Sequence, residues 1–130
     1  MIEFFEPMIP PEITHQQKKV HVVKGKPVFY EPSELKAARS KFMGHFGKYA
    51  PDEEMIGPVR LITKWCFPII NGHEDGEYKY TKPDCGNSNK LLEDCLEDLG
   101  FYKNDAQIAS SITEKFWAKI PGIYIRIEEI

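Results

Sequence analysis

Long apolar runs, patterned cysteines and clustered histidines are all missing from this sequence. No run approaches the length of about 18 apolar residues that indicates a membrane-spanning helix, and no stretch is typical of a signal peptide. The three cysteines lack C-x-x-C spacing, which suits reduced thiols in a cytoplasmic protein. The four histidines lack the spacing of zinc ligands. We therefore expect a cytoplasmic protein that has no membrane partner and does not depend on zinc or disulfides.

A strong net charge is also missing, but the charges are unevenly distributed. There are 17 Lys and Arg residues against 20 Asp and Glu residues, and the net charge of -3 counts mildly against nucleic-acid binding. Residues 15–50 nevertheless hold eight Lys or Arg against two Glu, and residues 84–105 hold six acids against two Lys. This division suits an enzyme that acts on a polyanion, although two solvated faces of opposite sign would give the same counts.

Alternating and helical periodicities predict one α+β domain, residues 1–130, with a mixed β-sheet and two main helices. A hydrophobic content of 42% is enough for one core. The predicted elements are, in order, a strand over 2–9, a hairpin over 18–30, a helix that begins at 32–33 and ends before 51, a long strand over 58–67, a helix over 86–99, a strand over 107–117 and a closing strand over 123–127.

The second predicted helix organises the polar residues that suggest chemistry. Asp84 stands at its start, where an acid commonly caps free backbone N–H groups. Lys90 and Asp94 are spaced to lie on one flank, and Gly100 suits the turn that ends the helix. If the chain doubles back there, the carboxylates of Asp84 and Asp105 can approach one point, and close carboxylates favour a cation between them. Magnesium, which prefers oxygen ligands, is the expected cation. The alternative interpretations are an exposed ion pair between Lys90 and Asp94, a plain helix cap at Asp84 and a plain turn residue at Asp105.

Two runs of residues resemble the RusA family of Holliday-junction resolvases, which are crossover junction endodeoxyribonucleases. The first run is Lys82-Pro83-Asp84-x-x-Asn87-x-x-Lys90-x-x-x-Asp94, and the second is Asn104-Asp105-Ala106-Gln107-Ile108. Less specific similarity, which includes a final hairpin, covers most of the chain. Two positions differ from the family pattern, because Gly86 and Asn104 stand where the family usually or often has Asp.

The resemblance implies a RusA-like fold and a magnesium-dependent endodeoxyribonuclease. Such an enzyme would cut four-way or branched DNA in recombination and repair, acting as a homodimer. The resemblance assigns catalytic roles to Asp84, Lys90 and Asp105, and magnesium binding to Asp84, Asp94 and Asp105. The residues expected to bind DNA are Lys18, Lys19, Lys24, Lys26, Arg39 and Lys82. The hairpin lysines among them are equally typical of edge strands that resist aggregation.

Two further hypotheses stay open. Gly86, in place of the family's second Asp, favours a catalytically weakened or inactive branched-DNA-binding protein of the same fold. The acidic net charge favours, more weakly, a small interaction protein without any nucleic-acid role.

Overall fold

The computed structural model describes residues 1–12, 19–23, 26–30 and 33–130, with the backbone alone in the two short segments. This part of the chain forms six strands and two α-helices. Their bounds are β1 Ile2–Pro7, β2 Lys19–Val23, β3 Lys26–Tyr30, α1 Ser33–Phe46, β4 Val59–Pro68, α2 Cys85–Asp98, β5 Ile108–Ala118 and β6 Gly122–Glu129. Short 3₁₀ turns at Gly47–Tyr49 and Asp105–Gln107 follow α1 and precede β5. The predicted α+β class is therefore confirmed.

Four strands form one mixed sheet in the order β1-β6-β4-β5, and β2 pairs with β3 in a separate antiparallel hairpin. The central strand β4 is antiparallel to β6 and parallel to β5. Parallel neighbours need a crossover connection, and α2 provides it between β4 and β5. The mixed sheet is thus confirmed, but the expected final hairpin is wrong. The two last strands are not hydrogen-bonded to each other, because β4 lies between them.

One face of the sheet carries the helices. Along β4, side chains alternate between buried and half-buried, so that Leu61 and Trp65 face the core while Arg60 and Lys64 lie on the other face. This alternation is the one that the sequence predicts for the long strand. Strand β6 adds Ile123, Ile125 and Ile127 to the core. The covered face therefore fixes the position of α2, and with it the acidic residues on its flank.

The two helices bury the apolar residues that their periodicity predicts. The buried residues of α1 are Leu35, Ala38, Phe42 and Phe46, and the buried apolar residues of α2 are Leu91, Leu92, Cys95 and Leu96. The opposite side of α2 stays in contact with solvent, so its charged residues remain accessible. Within the described residues, no helix is both long enough and apolar enough to cross a membrane.

Both ends of α2 are defined by local chemistry. Asp84 is its N-cap, and Oδ1 accepts hydrogen bonds from the backbone N–H groups of Gly86 at 2.8 Å and Asn87 at 3.3 Å. At the other end Gly100 has a φ of 85°, and its N–H donates to the Glu97 carbonyl. The next N–H, from Phe101, donates to Leu96, which completes a Schellman motif. The chain turns back at this point and runs towards Asp105.

Candidate active site

The two motif runs meet on the flank of α2. Lys90 Nζ lies 2.6 Å from Asp105 Oδ2 and 3.7 Å from Asp94 Oδ1. The side chains are partly accessible, with exposed fractions of 45% for Lys90, 25% for Asp105 and 27% for Asp94. One ammonium group therefore serves two carboxylates at a surface that solvent reaches. The helical pair with Asp94 and the longer-range pair with Asp105 are both present.

In the described part of the chain, Asp84 is not bonded to the group that we call the Lys90 cluster (Lys90, Asp94 and Asp105). It precedes Lys90 by six residues, and the rise along an α-helix over that distance is about 9 Å. Its carboxylate is exposed and serves as the helix cap. Among the described residues, Asp84 makes no hydrogen bond or ion pair with Lys90 or Asp105. The cap role is therefore established by geometry, and a ligand role at Asp84 stays a prediction.

The orientation of Asp105 is fixed by the turn that contains it. Asn104 Oδ1 accepts from the Ala106 N–H at 2.8 Å, and Gln107 Oε1 accepts from the Asn104 N–H at 3.0 Å, which together form a capping box. The Asp105 N–H donates to Glu97 Oε1 at 2.7 Å, which ties the turn to α2. Asn104 thus has a structural role at the position where the related family often has Asp.

The negative charges around this flank alter two proton equilibria. The hydrogen bond to Asp105 raises the pKa of Lys90, and the charge of Asp94 acts in the same direction, against the effect of partial burial. Burial raises the pKa of Glu93, the charge of Lys90 opposes that rise, and Asp105 and Asp94 add to it. The cluster is therefore a place where extra negative charge is costly and a cation is favoured.

A buried polar chain holds this flank against the sheet. Trp65 Nε1 donates to Thr63 Oγ1 at 3.2 Å, and Thr63 Oγ1 donates to Asn89 Oδ1 at 2.8 Å. Asn89 Nδ2 reaches Glu93 Oε2 at 3.3 Å, and the buried Tyr102 hydroxyl donates to the Glu93 carbonyl at 2.7 Å. Since Thr63 and Asn89 are buried and hydrogen-bonded, α2 is restrained in rotation relative to β4.

A shallow groove lies at the N-terminal end of α2. The residues that line it are Tyr80, Thr81, Lys82, Pro83, Asp84 and Lys115. Tyr80 is 86% exposed and Lys82 is also exposed, so an aromatic ring and an ammonium group flank Asp84 on the solvent side. The groove combines a flat apolar surface with positive charge, which are the features that a nucleic-acid strand requires.

The other residues predicted to bind DNA are only partly described. Lys18 and Lys24 lie outside the described residues, and for Lys19 and Lys26 only the strand backbone is described. Arg39 Nη1 lies 3.9 Å from Asp98 Oδ2, at the opposite end of α2 from Asp84. Arg39 thus faces α2 near its C-terminal end, rather than the groove at its start.

The carboxylates of the Lys90 cluster are of the type that binds magnesium, but they are too few to surround an ion. In the described ranges, no group of three or more His, Cys, Asp or Glu side chains is placed to hold a metal ion. Asp94 and Asp105 nevertheless both lie beside the Lys90 ammonium group. Their carboxylate oxygens are the hard ligands that magnesium prefers. Magnesium commonly uses one or two carboxylates together with water and phosphate oxygens. The residues therefore fit a site that a phosphate group completes.

Several residues that shape the site have no obvious signal in the sequence alone. Glu93 and Glu97 look like ordinary solvated helix residues, yet one is half-buried and the other bonds the Asp105 N–H. Gln107 does carry a signal, because it belongs to the second motif run. Its Nε2 donates to the carbonyls of Met55 and Gly57, both at 3.0 Å, and anchors the turn to the loop before β4.

Fold and site together describe a small α+β protein with a lysine and paired acids beside a capped helix. A family model described as endodeoxyribonuclease RusA matches residues 8–128 of the chain. The chain therefore belongs to the RusA endodeoxyribonuclease family, which confirms the resemblance found from the two motif runs.

Two relatives extend this comparison. The chain is 29% identical over 119 residues to the crossover junction endodeoxyribonuclease rusA of Lactococcus phage r1t, covering 90% of this chain and 89% of the relative. It is 26% identical over 109 residues to the uncharacterized protein YqaN of Bacillus subtilis strain 168, covering 72% of this chain and 76% of the relative. The first match spans both motif runs, since it covers nearly all of both chains.

Proposed function

We propose that this chain is a magnesium-dependent, structure-specific endodeoxyribonuclease that resolves Holliday junctions in DNA recombination and repair. The observation that carries the proposal is the 2.6 Å contact between Lys90 Nζ and Asp105 Oδ2, which joins the two motif runs in one site. The family model and the phage relative support the same class of reaction. Free thiols at the three cysteines support a cytoplasmic location.

Magnesium would be held by Asp105 and Asp94, with Asp84 as a further ligand and with phosphate oxygens completing the set. When bound, it would polarise the scissile phosphate and acidify a water molecule. Asp84 has one oxygen engaged by the helix amides, so its second oxygen is the one available for this role. Asp105 is held by its capped turn, so its carboxylate is oriented before substrate arrives.

Lys90 would stabilise the charge that develops on the phosphoryl oxygens. An ammonium group has three hydrogen-bond donors, and the contact with Asp105 uses one of them. The raised pKa of Lys90 keeps the group protonated as a phosphate approaches. Its partial exposure leaves the remaining donors accessible to DNA, so Lys90 orients Asp105 and binds the phosphate at the same time.

Four-way DNA has two equivalent strands to cut, which fits a homodimer with one site in each subunit. Exposed Lys82 beside Asp84 is the described residue best placed to contact the backbone of a strand in the groove. The basic residues between positions 15 and 50 would add phosphate contacts outside the groove.

The proposal is tested with a labelled synthetic four-way junction. Wild-type protein should cleave it in magnesium and should not cleave it in a chelator. Asp105→Asn and Asp84→Asn should lower the cleavage rate by about 100-fold or more, on the scale known for one lost transition-state contact. Both variants should still bind the junction, since the lysines that contact phosphate are unchanged.

Asp98→Asn is the matched control, because it removes one carboxylate from the far end of the same helix. Its cleavage rate should stay within about twofold of wild type, as expected for a surface substitution away from the site. Full activity in Asp105→Asn would remove the Lys90 cluster from the reaction.

A non-catalytic branched-DNA-binding protein is the second candidate, and Gly86 is the observation that favours it. A glycine contributes no ligand oxygen at a position where the related family usually has Asp. Wild-type protein that binds four-way junctions but never cuts them, in magnesium or manganese, would establish this second function and exclude the first.

A further inference from the structure

Three successive backbone carbonyls immediately before Asp84 are each bonded to a lysine. Lys79 Nζ donates to the Lys82 carbonyl and, at 2.6 Å, to Thr81 Oγ1. Lys115 Nζ donates to the Thr81 carbonyl and, at 2.6 Å, to the Pro83 carbonyl. The segment 81–83 is thus held from two sides by two ammonium groups.

Lys79 lies in the loop before α2 and Lys115 lies in β5, and the two backbone segments are hydrogen-bonded to each other. The Lys79 N–H donates to the Lys115 carbonyl at 3.0 Å, and the Trp117 N–H donates to the Glu77 carbonyl at 2.8 Å. The residues before the groove therefore pair with β5, the strand that begins just after Asp105. Asp105 and the segment that leads to Asp84 are consequently attached to one rigid element.

Lys79 is buried in a way that a surface lysine is not. Only 7% of the residue is exposed, and Nζ lies 4.5 Å from the Trp117 ring centroid and 5.3 Å from that of Phe67. Burial lowers the pKa of Lys79, the charge of Lys115 adds to that effect, and the charge of Glu12 opposes it. In the described part of the chain its hydrogen bonds go to backbone and hydroxyl oxygens rather than to a carboxylate. Lys79 therefore holds oxygens of residues 81 and 82 from within the fold.

The backbone segment that the two lysines hold leads directly to Asp84. Pro83, whose carbonyl accepts from Lys115, is buried and directly precedes Asp84 in the chain. Downstream, Asp84 Oδ1 is held by the amides of Gly86 and Asn87. The carboxylate is therefore held by the helix amides that follow it, and the backbone that carries it is held by Lys115.

We infer that Lys79 and Lys115 are positioning residues, which fix the backbone of 81–83 and thereby aim the Asp84 carboxylate at the reaction centre. This inference rests on the proposed function in one respect, namely that Asp84 binds the metal. Neither lysine is assigned contact with the reacting atoms.

Lys115→Met is the main test, with Lys64→Met as its matched control. Both substitutions change the net charge from -3 to -4. Lys64 lies on β4, on the face of the sheet away from the helices, near the Tyr124 ring. Because Thr81 is exposed, water can replace Lys115 at its carbonyl, and Lys115→Met should remain folded. Lys115→Arg keeps the donors and should rescue what Lys115→Met loses.

The first measurement needs no catalysis. Amide NMR signals of Gly86 and Asn87 should shift and exchange faster in Lys115→Met, stay unchanged in Lys64→Met and return towards wild type in Lys115→Arg. Magnesium titrated into the protein alone should bind about 10-fold more weakly to Lys115→Met, at the low end of the range known for groups that orient metal ligands. Unchanged amides together with unchanged magnesium affinity would overturn the inference.

Cleavage kinetics give the second measurement. Lys115→Met should lower kcat by about tenfold or more, since a misplacement of about 1 Å costs up to ~100-fold, while junction affinity without magnesium stays unchanged. If instead that affinity falls and its salt dependence decreases by the equivalent of one phosphate contact, Lys115 binds DNA directly and the positioning role is excluded.

The two proposals fail in different ways. Wild-type protein that never cleaves would remove the proposed function, whereas the amide and magnesium measurements would still decide the role of Lys115. Lys79→Met should change the same amides and lower the melting temperature as well, because its stem is buried between two aromatic rings. A Lys79→Met protein with a lower melting temperature but unchanged amides would restrict Lys79 to a structural role.

Discussion

Glu6 and Asp105 are both carboxylates paired with lysine, and they differ in how completely they are satisfied. The Glu6 side chain is 5% exposed and receives Lys48 Nζ at 3.0 Å, Tyr49 Oη at 2.8 Å and His45 Nδ1 at 2.7 Å. Asp105 is 25% exposed, and its carboxylate receives Lys90 at 2.6 Å. The first acid is enclosed by donors, whereas the second is open on one side.

The difference separates a structural acid from a reactive one. Glu6 joins β1 to the end of α1, and Phe4 next to it in the same inward row stacks on Tyr49 with ring centroids 3.8 Å apart. A buried charge is tolerated there only because its oxygens are occupied. Asp105 has coordination capacity left, which is the property that a metal ligand requires.

The proton equilibria follow the same division. Burial alone would raise the pKa of Glu6, but hydrogen bonds from His45, Lys48 and Tyr49 outweigh it, so the pKa is lowered. In the Lys90 cluster, the hydrogen bond with Asp105 raises the pKa of the lysine, Lys90. One site therefore stabilises the fold through its acid, and the other keeps a cation charged at the surface.

Substitution of Lys90 and of Lys48 provides the sharpest test of this comparison. Lys90→Met should lower kcat for junction cleavage by about 100-fold, because a charged group that stabilises the transition state is lost. Its melting temperature should change little, since ion pairs at partly exposed sites contribute little to stability. Lys48→Met should lower the melting temperature and leave kcat unchanged, because it removes one donor from the Glu6 carboxylate, which is only 5% exposed. Equal losses of kcat in both variants would contradict the division into a structural site at Glu6 and a reactive site at Asp105.

Glu6→Gln should destabilise the fold by about 1.5–3 kcal/mol, the cost typical of a lost hydrogen bond to a charged group. Urea denaturation gives this free energy of unfolding. Cleavage per folded molecule should be unchanged, because Glu6 lies outside the Lys90 cluster.

Glu3→Gln is the matched control on the same strand, since Glu3 is an exposed acid that accepts from the Tyr124 hydroxyl. It should cost much less stability than Glu6→Gln. Similar losses in the two variants would show that Glu6 is no better satisfied than a surface acid.

The stability of the protein at low pH should also depend on Glu6. The folded-state pKa of Glu6 lies below its ordinary value of 4.5. Its contribution to stability is therefore complete above that value and is lost as the pH falls through the folded-state pKa. The free energy of unfolding should decline below pH 4.5 in wild type and decline less in Glu6→Gln. Parallel declines in the two proteins would assign the acid sensitivity to other groups.

Local features of the fold are predictable from the sequence, and the α2 region is the clearest case. The Asp84 cap and the positive φ of Gly100 depend on residues within a few positions of each other. The buried stripes of both helices follow from the 3.6-residue period. The family motifs add the expectation that Asp84, Lys90 and Asp105 lie at one site, and the contact between Lys90 and Asp105, 15 residues apart, agrees with that part of it.

Contacts between distant segments are what the sequence does not reveal. The partners of Glu6 lie 39 to 43 residues away, and nothing in its neighbourhood marks it as buried. The same limitation applies to the expected final hairpin of β5 and β6. Neither strand shows in its sequence that β4, about 40 residues earlier in the chain, pairs between them. Lys79 and Lys115 are likewise recognisable only after β5 is placed beside the segment before Asp84.

Gly86→Asp is expected to have the smallest effect, and it tests whether the open site gains from one more ligand. Gly86 lies in the first turn of α2 with a φ outside the positive region, so a side chain is compatible with the backbone. A Cβ there would lie 3.3 Å from Asp84 Oδ1, which requires a shift of a few tenths of an ångström. Magnesium should bind a few-fold more tightly, because an added carboxylate strengthens the attraction for a hard cation.

Gly86→Asn separates charge from size, because it adds the same bulk next to Asp84 without a negative charge. If tighter magnesium binding and faster cleavage at low magnesium appear in Gly86→Asp alone, charge at position 86 is the missing ligand contribution. If both variants lose the Asp84 cap and melt earlier, the 3.3 Å contact governs the outcome. A folded Gly86→Asp protein with unchanged magnesium affinity would mean that the site draws its remaining ligands from DNA phosphate, as two-carboxylate magnesium sites do.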